Sequence, residues 1–174
     1  MTKKYKILLA EDEKDISELI QKIVAKDPKY ELLLAYNGEE ASTIIKQNKT
    51  IFGNNLSCII LDLGLPVMDG VSLINELNLK KKTASIPIIL YSTYDYARVL
   101  NPISKYLTGI IFKDDAVTEL LPMLDQICVE KDIEGVRSGL VSKLAQRGAN
   151  AHAAFEPKKG SKKLPTVYDL FSDY

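Results

Sequence analysis

The sequence predicts a doubly wound α/β domain, and three observations predict it. Five short apolar runs, rich in Ile, Leu and Tyr, recur along the chain as far as Phe112. Each is nearly continuous rather than alternating, the pattern of parallel strands covered on both faces. Helical patterns lie between them, so strand and helix alternate five times, and right-handed crossovers close such a chain into one parallel sheet.

The elements follow in order. Tyr5–Ala10 is the first strand. Its opening, MTKKYKILLAEDE, is basic and then apolar, but the apolar run stops within a few residues at three acids, which argues against a signal peptide. Ile16, Leu19, Ile20, Ile23 and Val24 then repeat at helical spacing. Glu31–Tyr36 is the second strand. Asn37 with Glu40 three residues on is a capping box opening a helix to about Lys46. A polar loop, Asn48–Leu56 (NKTIFGNNL), precedes the third strand, Ser57–Leu61. Val71, Ile74 and Leu77 mark the next helix, opened by Asp69-Gly70 as turn and helix-start chemistry. Pro87–Ser92 is the fourth strand, 95–106 a weaker helix limited by Pro102, and Thr108–Phe112 the fifth strand. Val117–Val129 is the last helix of the rhythm; Pro122 lies near its first turn or kinks it. Beyond residue 130 the alternation stops. Ile133–Gln146 reads as one more amphipathic helix through Val136, Leu140, Val141 and Leu144, followed by an Ala-rich stretch, the lysines 158–163 and the terminal LPTVYDLFSDY.

The 174 residues suit one domain of ordinary size, 4–130, with an extension, 131–174. The formal net charge is zero, so no global field points to nucleic acid or a membrane. From residue 131 onward there are eight Lys and Arg against five Asp and Glu, and 15 against 18 before it. A mildly acidic body thus carries a mildly basic tail, whose clustered lysines would give DNA only salt-sensitive, non-specific contact. No apolar run reaches the roughly 18 residues that span a bilayer. Cys58 and Cys128 sit far apart in apolar stretches and read as buried, reduced thiols of a cytoplasmic protein. His152 is the sole histidine and lies in an Ala-rich segment with no partner pattern, so it reads as solvent-facing or packing.

In an open parallel sheet, ligands bind beyond the carboxyl ends of the strands. The first strand is followed by Glu11, Asp12 and Glu13. The third ends in Asp62, the fourth in Ser92 and Thr93, the fifth in Lys113. The predicted fold brings these to one edge. Several carboxylates close together stay ionised only with a cation, and carboxylate oxygens suit Mg²⁺. An ionised Asp can take up a phosphoryl group as a nucleophile, and a Lys and a hydroxyl opposite would hold the phosphoryl oxygens. There is no Gly-rich phosphate loop, which excludes a P-loop NTPase.

Glu11-Asp12, Asp62 with LPVMDG behind it, Ser92 and Lys113 together resemble a response-regulator receiver domain of two-component signalling, over about residues 4–130. The resemblance implies the flavodoxin-like strand order 2-1-3-4-5. It implies Asp62 as phosphoacceptor, Asp12 as a direct Mg²⁺ ligand with Glu11 on metal-bound water, the Gly64 carbonyl completing the shell, and Ser92 and Lys113 on the phosphoryl group. It implies a histidine kinase or phosphotransfer protein as donor. It also implies a signalling domain that gains and loses its own phosphate rather than an enzyme, and it leaves a homodimer open.

The sequence departs from that family at four places. Asp114 stands where proline commonly follows the site lysine, often cis; without proline a cis bond costs about 2.5–4 kcal/mol, which predicts a trans bond here. Ile110 occupies the aromatic switch position, so aromatic rotation cannot report phosphorylation there. Thr93 replaces a small residue, and the loop 48–56 is long. With so short an extension the expected output is protein contact, with VYDLF as a docking candidate. Two other classes remain in view. One is a pseudo-receiver, a phosphorylation-independent interaction module. The other is a Mg²⁺-dependent aspartyl phosphatase, which wants a second Asp two residues after the nucleophile, where this chain has Gly64.

Overall fold

The computed structural model of the chain describes residues 4–51, 53–92 and 103–154. Five parallel strands form one sheet in the order β2-β1-β3-β4-β5: β1 Tyr5–Ala10, β2 Tyr30–Ala35, β3 Leu56–Leu61, β4 Ile88–Ser92 and β5 Gly109–Phe112. Helices α1 (Lys14–Val24), α2 (Gly38–Gln47), α3 (Gly70–Asn78), α4 (Ala116–Asp125) and α5 (Ile133–Ala154) complete it. The order is the one the resemblance implied.

The strands carry apolar residues on both faces, and alternation sorts them into two cores. Leu8, Ala10, Ile59, Leu61, Leu90 and Ile110 face one side, where Ala41, Ile45, Leu73 and Ile74 of α2 and α3 cover them. Ile7, Leu9, Cys58, Ile60, Tyr91 and Ile111 face the other, under Ile20, Ile23 and Leu120 of α1 and α4. Each fully buried Leu or Ile contributes about 1.5–3 kcal/mol over exposure. Cys58 and Cys128 are both free and buried, as expected.

Boundaries differ from the sequence pattern for local reasons. Tyr36 leaves β2 because its N–H donates to the Glu40 carboxylate, 2.8 Å away. Glu40 N–H in turn donates to the Asn37 side chain at 2.8 Å. The capping box therefore reaches one residue further back than the simple form. Pro87 has no N–H to pair, and β4 starts at Ile88. Pro122 sits in the second turn of α4, which ends at Asp125 rather than Val129; Gln126–Glu130 continue as a wider helical turn that stops at Lys131, φ 61°. The loop before β3 closes on itself through an antiparallel bridge, Lys49 to Asn54.

Helix α5 is longer than the expected 133–146 and packs on β5. Val136 enters one core and Leu140 the other, so this helix straddles the β5 edge of the sheet. Arg137 donates to the Lys105 carbonyl at 2.8 Å, and Lys143 pairs with Glu119 of α4. Of the expected fourth helix, Ile103 is buried in the core and Ser104–Tyr106 form a 3-10 turn, while 95–102 lie outside the described residues. So do Thr93, the His152 side chain, the lysines 158–163 and the VYDLF segment. Among the described residues no helix is long and apolar enough to cross a membrane.

Candidate functional site

The site is built by strand register. Ala10 pairs with Leu61, and Leu61 with Leu90. One step on, Glu11, Asp62 and Tyr91 stand abreast at the carboxyl ends of three adjacent strands. Lys113 follows Phe112, the partner of Ser92, and its chain reaches back over this row. Its ammonium lies 2.8 Å from Asp62 Oδ2, 3.0 Å from Glu11 Oε2 and 3.0 Å from Glu13 Oε1. Residues separated by about a hundred positions thus meet at one ammonium.

Burial makes these contacts matter. Glu11 is 1% exposed and Asp62 6%. Burial by itself pulls Lys113 down, but Asp62, Glu11 and Glu13 outweigh it and hold the ammonium charged above the ordinary lysine range. Burial first, and then the Asp62 charge, push Glu11 up to about 7 from its ordinary 4.5, against the pull of Lys113. The folded protein therefore holds the Glu11 proton more tightly than the unfolded chain. That contribution to stability is complete below the unfolded value and is lost as pH rises through about 7. Thermal melts in EDTA should fall between about pH 5 and about pH 8, and Glu11→Gln should flatten the fall; equal slopes in the two proteins would remove this account.

Asp12 is exposed beside the row. Carboxylate oxygens of Glu11, Asp12 and Asp62 lie within 4.8 Å of one another, close enough to share one metal ion. This all-oxygen donor set fits Mg²⁺. Gly64 N–H donates to Asp62 Oδ1 at 3.2 Å, orienting the carboxylate. Ser92 is fully buried at the end of β4. The Lys113–Asp114 bond is trans, as the absence of proline predicts, and no described peptide bond is cis. Asp69 caps α3, accepting from Ser72 N–H at 2.9 Å, which is the structural role expected of it.

The loop from Asp62 to Gly70 is clamped by two glycines. A Cβ on Gly38 would lie 2.0 Å from the Met68 carbonyl oxygen, and one on Gly70 2.5 Å from the Asp62 carbonyl oxygen. Between these clamps Val67 is 75% exposed with φ 69°. Met68 N–H donates to the Pro66 carbonyl at 2.8 Å around it, a tight turn that strains a β-branched residue. Val67→Gly should stabilise the protein by about 1 kcal/mol, or about 3 °C in a thermal melt; a lower melting temperature would show that the turn carries no strain.

Two site residues were not singled out from the sequence. Glu13 stands among the acids after the first strand without a role of its own, yet it holds Lys113. Tyr91 was read only as strand, although a phenol ending the aliphatic run Ile88-Ile89-Leu90 was the available signal.

Fold and site together define an acidic cluster, crossed by one lysine, at the carboxyl edge of a flavodoxin-like sheet. The response regulator receiver domain family matches residues 7–125, and the chain belongs to that family, the receiving module of two-component signalling. The transcriptional regulatory protein SrrA of Staphylococcus aureus is 36% identical over 84 residues, covering 48% of this chain and 31% of that protein. The phosphorylated cyanobacterial phytochrome response regulator RcpA has the same fold at 22% identity, with TM-score 0.63 over 73% of this chain and 96% of that one. So does the receiver domain of a sensor histidine kinase from Pseudomonas aeruginosa PAO1, solved with magnesium in its active-site cleft, at 21% identity, TM-score 0.61, 72% and 98% coverage.

Proposed function

We propose that Asp62 accepts a phosphoryl group from a histidine kinase or phosphotransfer protein, in a reaction that requires Mg²⁺, and that the phosphorylated domain signals by protein contact. The observation that carries this reading is the buried Asp62 carboxylate held 2.8 Å from the Lys113 ammonium, within reach of Glu11 and Asp12. An Asp62 oxygen attacks phosphorus, the bond from phosphorus to the donor nitrogen breaks, and the imidazole leaves. Glu11, Asp12, Asp62 and the Gly64 carbonyl would hold Mg²⁺, which when bound neutralises charge on the phosphoryl oxygens. Lys113 and the Ser92 hydroxyl would take the remaining oxygens. Phosphorylation then biases a pre-existing equilibrium between two conformations. That a related receiver was solved with magnesium and another phosphorylated supports the reading.

Intact mass after incubation with acetyl phosphate tests it. The wild type should gain one phosphoryl group with Mg²⁺ and none in EDTA, and Asp62→Asn should gain none. An adduct on Asp62→Asn would overturn the assignment of Asp62. No adduct on the wild type, together with no beryllofluoride binding, would favour the phosphorylation-independent interaction module instead.

A further inference from the structure

We infer that the sheet carries a second ligand site at its amino edge, opposite the acidic cluster: a cavity between the sheet and α5 where Arg137 and Lys105 receive the carboxylate of a small organic acid.

Three observations carry it. The first is a cavity of about 230 Å³ at the amino ends of β4 and β5, lined on one side by Ile133 and Arg137 from the first turns of α5. The second is its charge. Lys105 and Arg137 line it, and no Asp or Glu does. Among the described residues the paired carboxylates go to Lys29, Lys46, Lys80, Lys113 and Lys143, so neither cation of the cavity has a carboxylate of its own. Asp132, close in sequence, is spent on the start of α5, where it accepts from Gly135 N–H at 2.9 Å. A concave surface lined by charge of one sign concentrates ions of the other. The third is an unspent donor. Thr108 lines the cavity and is 7% exposed. Its hydroxyl oxygen accepts from Ile88 N–H at 3.3 Å, and among the described residues its proton meets no acceptor. Buried hydroxyls normally place their proton, and a ligand oxygen in the cavity would take it.

The donors and the walls decide the class of ligand. An N–H of the Arg137 guanidinium is fixed on the Lys105 carbonyl at 2.8 Å, which holds the planar group in place with its other donors free. Such a fork matches two oxygens of a carboxylate or a phosphate. The walls choose between them. Ile86, Pro87, Leu107 and Ile133 line the same cavity. Free phosphate would leave them facing water, whereas an organic acid covers them with its own apolar body.

Titration of the full chain with benzoate, followed by backbone amide shifts, tests this. Benzoate should saturate with a Kd of about 10 mM or tighter, the scale its size allows, with the shifts gathered at residues 105–108 and the start of α5. Benzyl alcohol, the ring without the charge, and inorganic phosphate, the charge without the ring, should each bind about tenfold more weakly. Arg137→Lys, which keeps the charge and loses the fork, should weaken benzoate about tenfold. Lys105→Gln, at an exposed position, should weaken it about threefold. Equal affinity for benzoate and benzyl alcohol, unchanged affinity in both variants, or no saturable shift at 105–108 would overturn the site. Phosphate binding as tightly as benzoate would overturn the organic acid as its ligand.

Discussion

Lys113→Met should cost the metal-free protein about 3 kcal/mol of stability, and millimolar Mg²⁺ should restore most of it. The argument is one of uncompensated charge. Lys113 is the cation that the described residues pair with Glu11, Glu13 and Asp62, and its own side chain is only 10% exposed. Methionine keeps most of its volume and removes its charge. Two buried carboxylates are then left facing each other, with Asp12 alongside. Removing one partner of a buried ion pair costs about 3–5 kcal/mol, because the remaining charge keeps its desolvation penalty. A divalent cation would replace the missing positive charge, as binding to the folded state alone stabilises it by mass action. Urea unfolding with EDTA and with Mg²⁺ reads both effects. If the variant matches the wild type in EDTA, the carboxylates are not held by Lys113 and this electrostatic account of the site fails.

Gly70→Ala should be comparably severe, for a steric reason. The added Cβ would lie 2.5 Å from the Asp62 carbonyl oxygen and 2.8 Å from Leu63 Cα. Both are backbone atoms, so neither can rotate away. Overpacking of this kind costs about 1–3 kcal/mol, and a clash against two atoms of the 62–63 backbone belongs at the upper end. Relief by displacing the 62–70 loop would move the carboxylate, so phosphoryl uptake from acetyl phosphate should fall further than stability alone explains. Gly139→Ala is the control: its Cβ meets nothing within 4 Å inside α5, and it should stabilise by up to about 1 kcal/mol. Equal melting temperatures for the two variants would show that the clamp on the loop is slack.

Much of the fold was legible because parallel strands buried on both faces leave a local signature. Runs such as Cys58–Leu61 are apolar whatever lies beside them. Helix starts were legible for the same reason: the Asn37–Glu40 and Asp69–Ser72 contacts span only three residues. Where something other than apolar spacing decides, the pattern fell short. Tyr36 leaves its strand for the Glu40 carboxylate, and α5 runs beyond the range its spacing marked.

The same division holds at the site. Acidic and basic residues immediately after apolar runs are conspicuous, so Glu11, Asp12, Asp62 and Lys113, which the structure brings together, were legible in the chain alone. What they do to one another was not. Three carboxylates on one ammonium, the hydroxyl of Tyr91 beside Asp62, and a helix straddling the β5 edge all depend on strand order and register. By itself the sequence determined which segments are strands, which face each residue takes, and which charged groups stand at strand ends, since these are set by neighbours a few residues apart. Only the tertiary structure decided which strand ends are adjacent, because that choice rests on pairings between residues up to a hundred positions apart, and no local pattern encodes them.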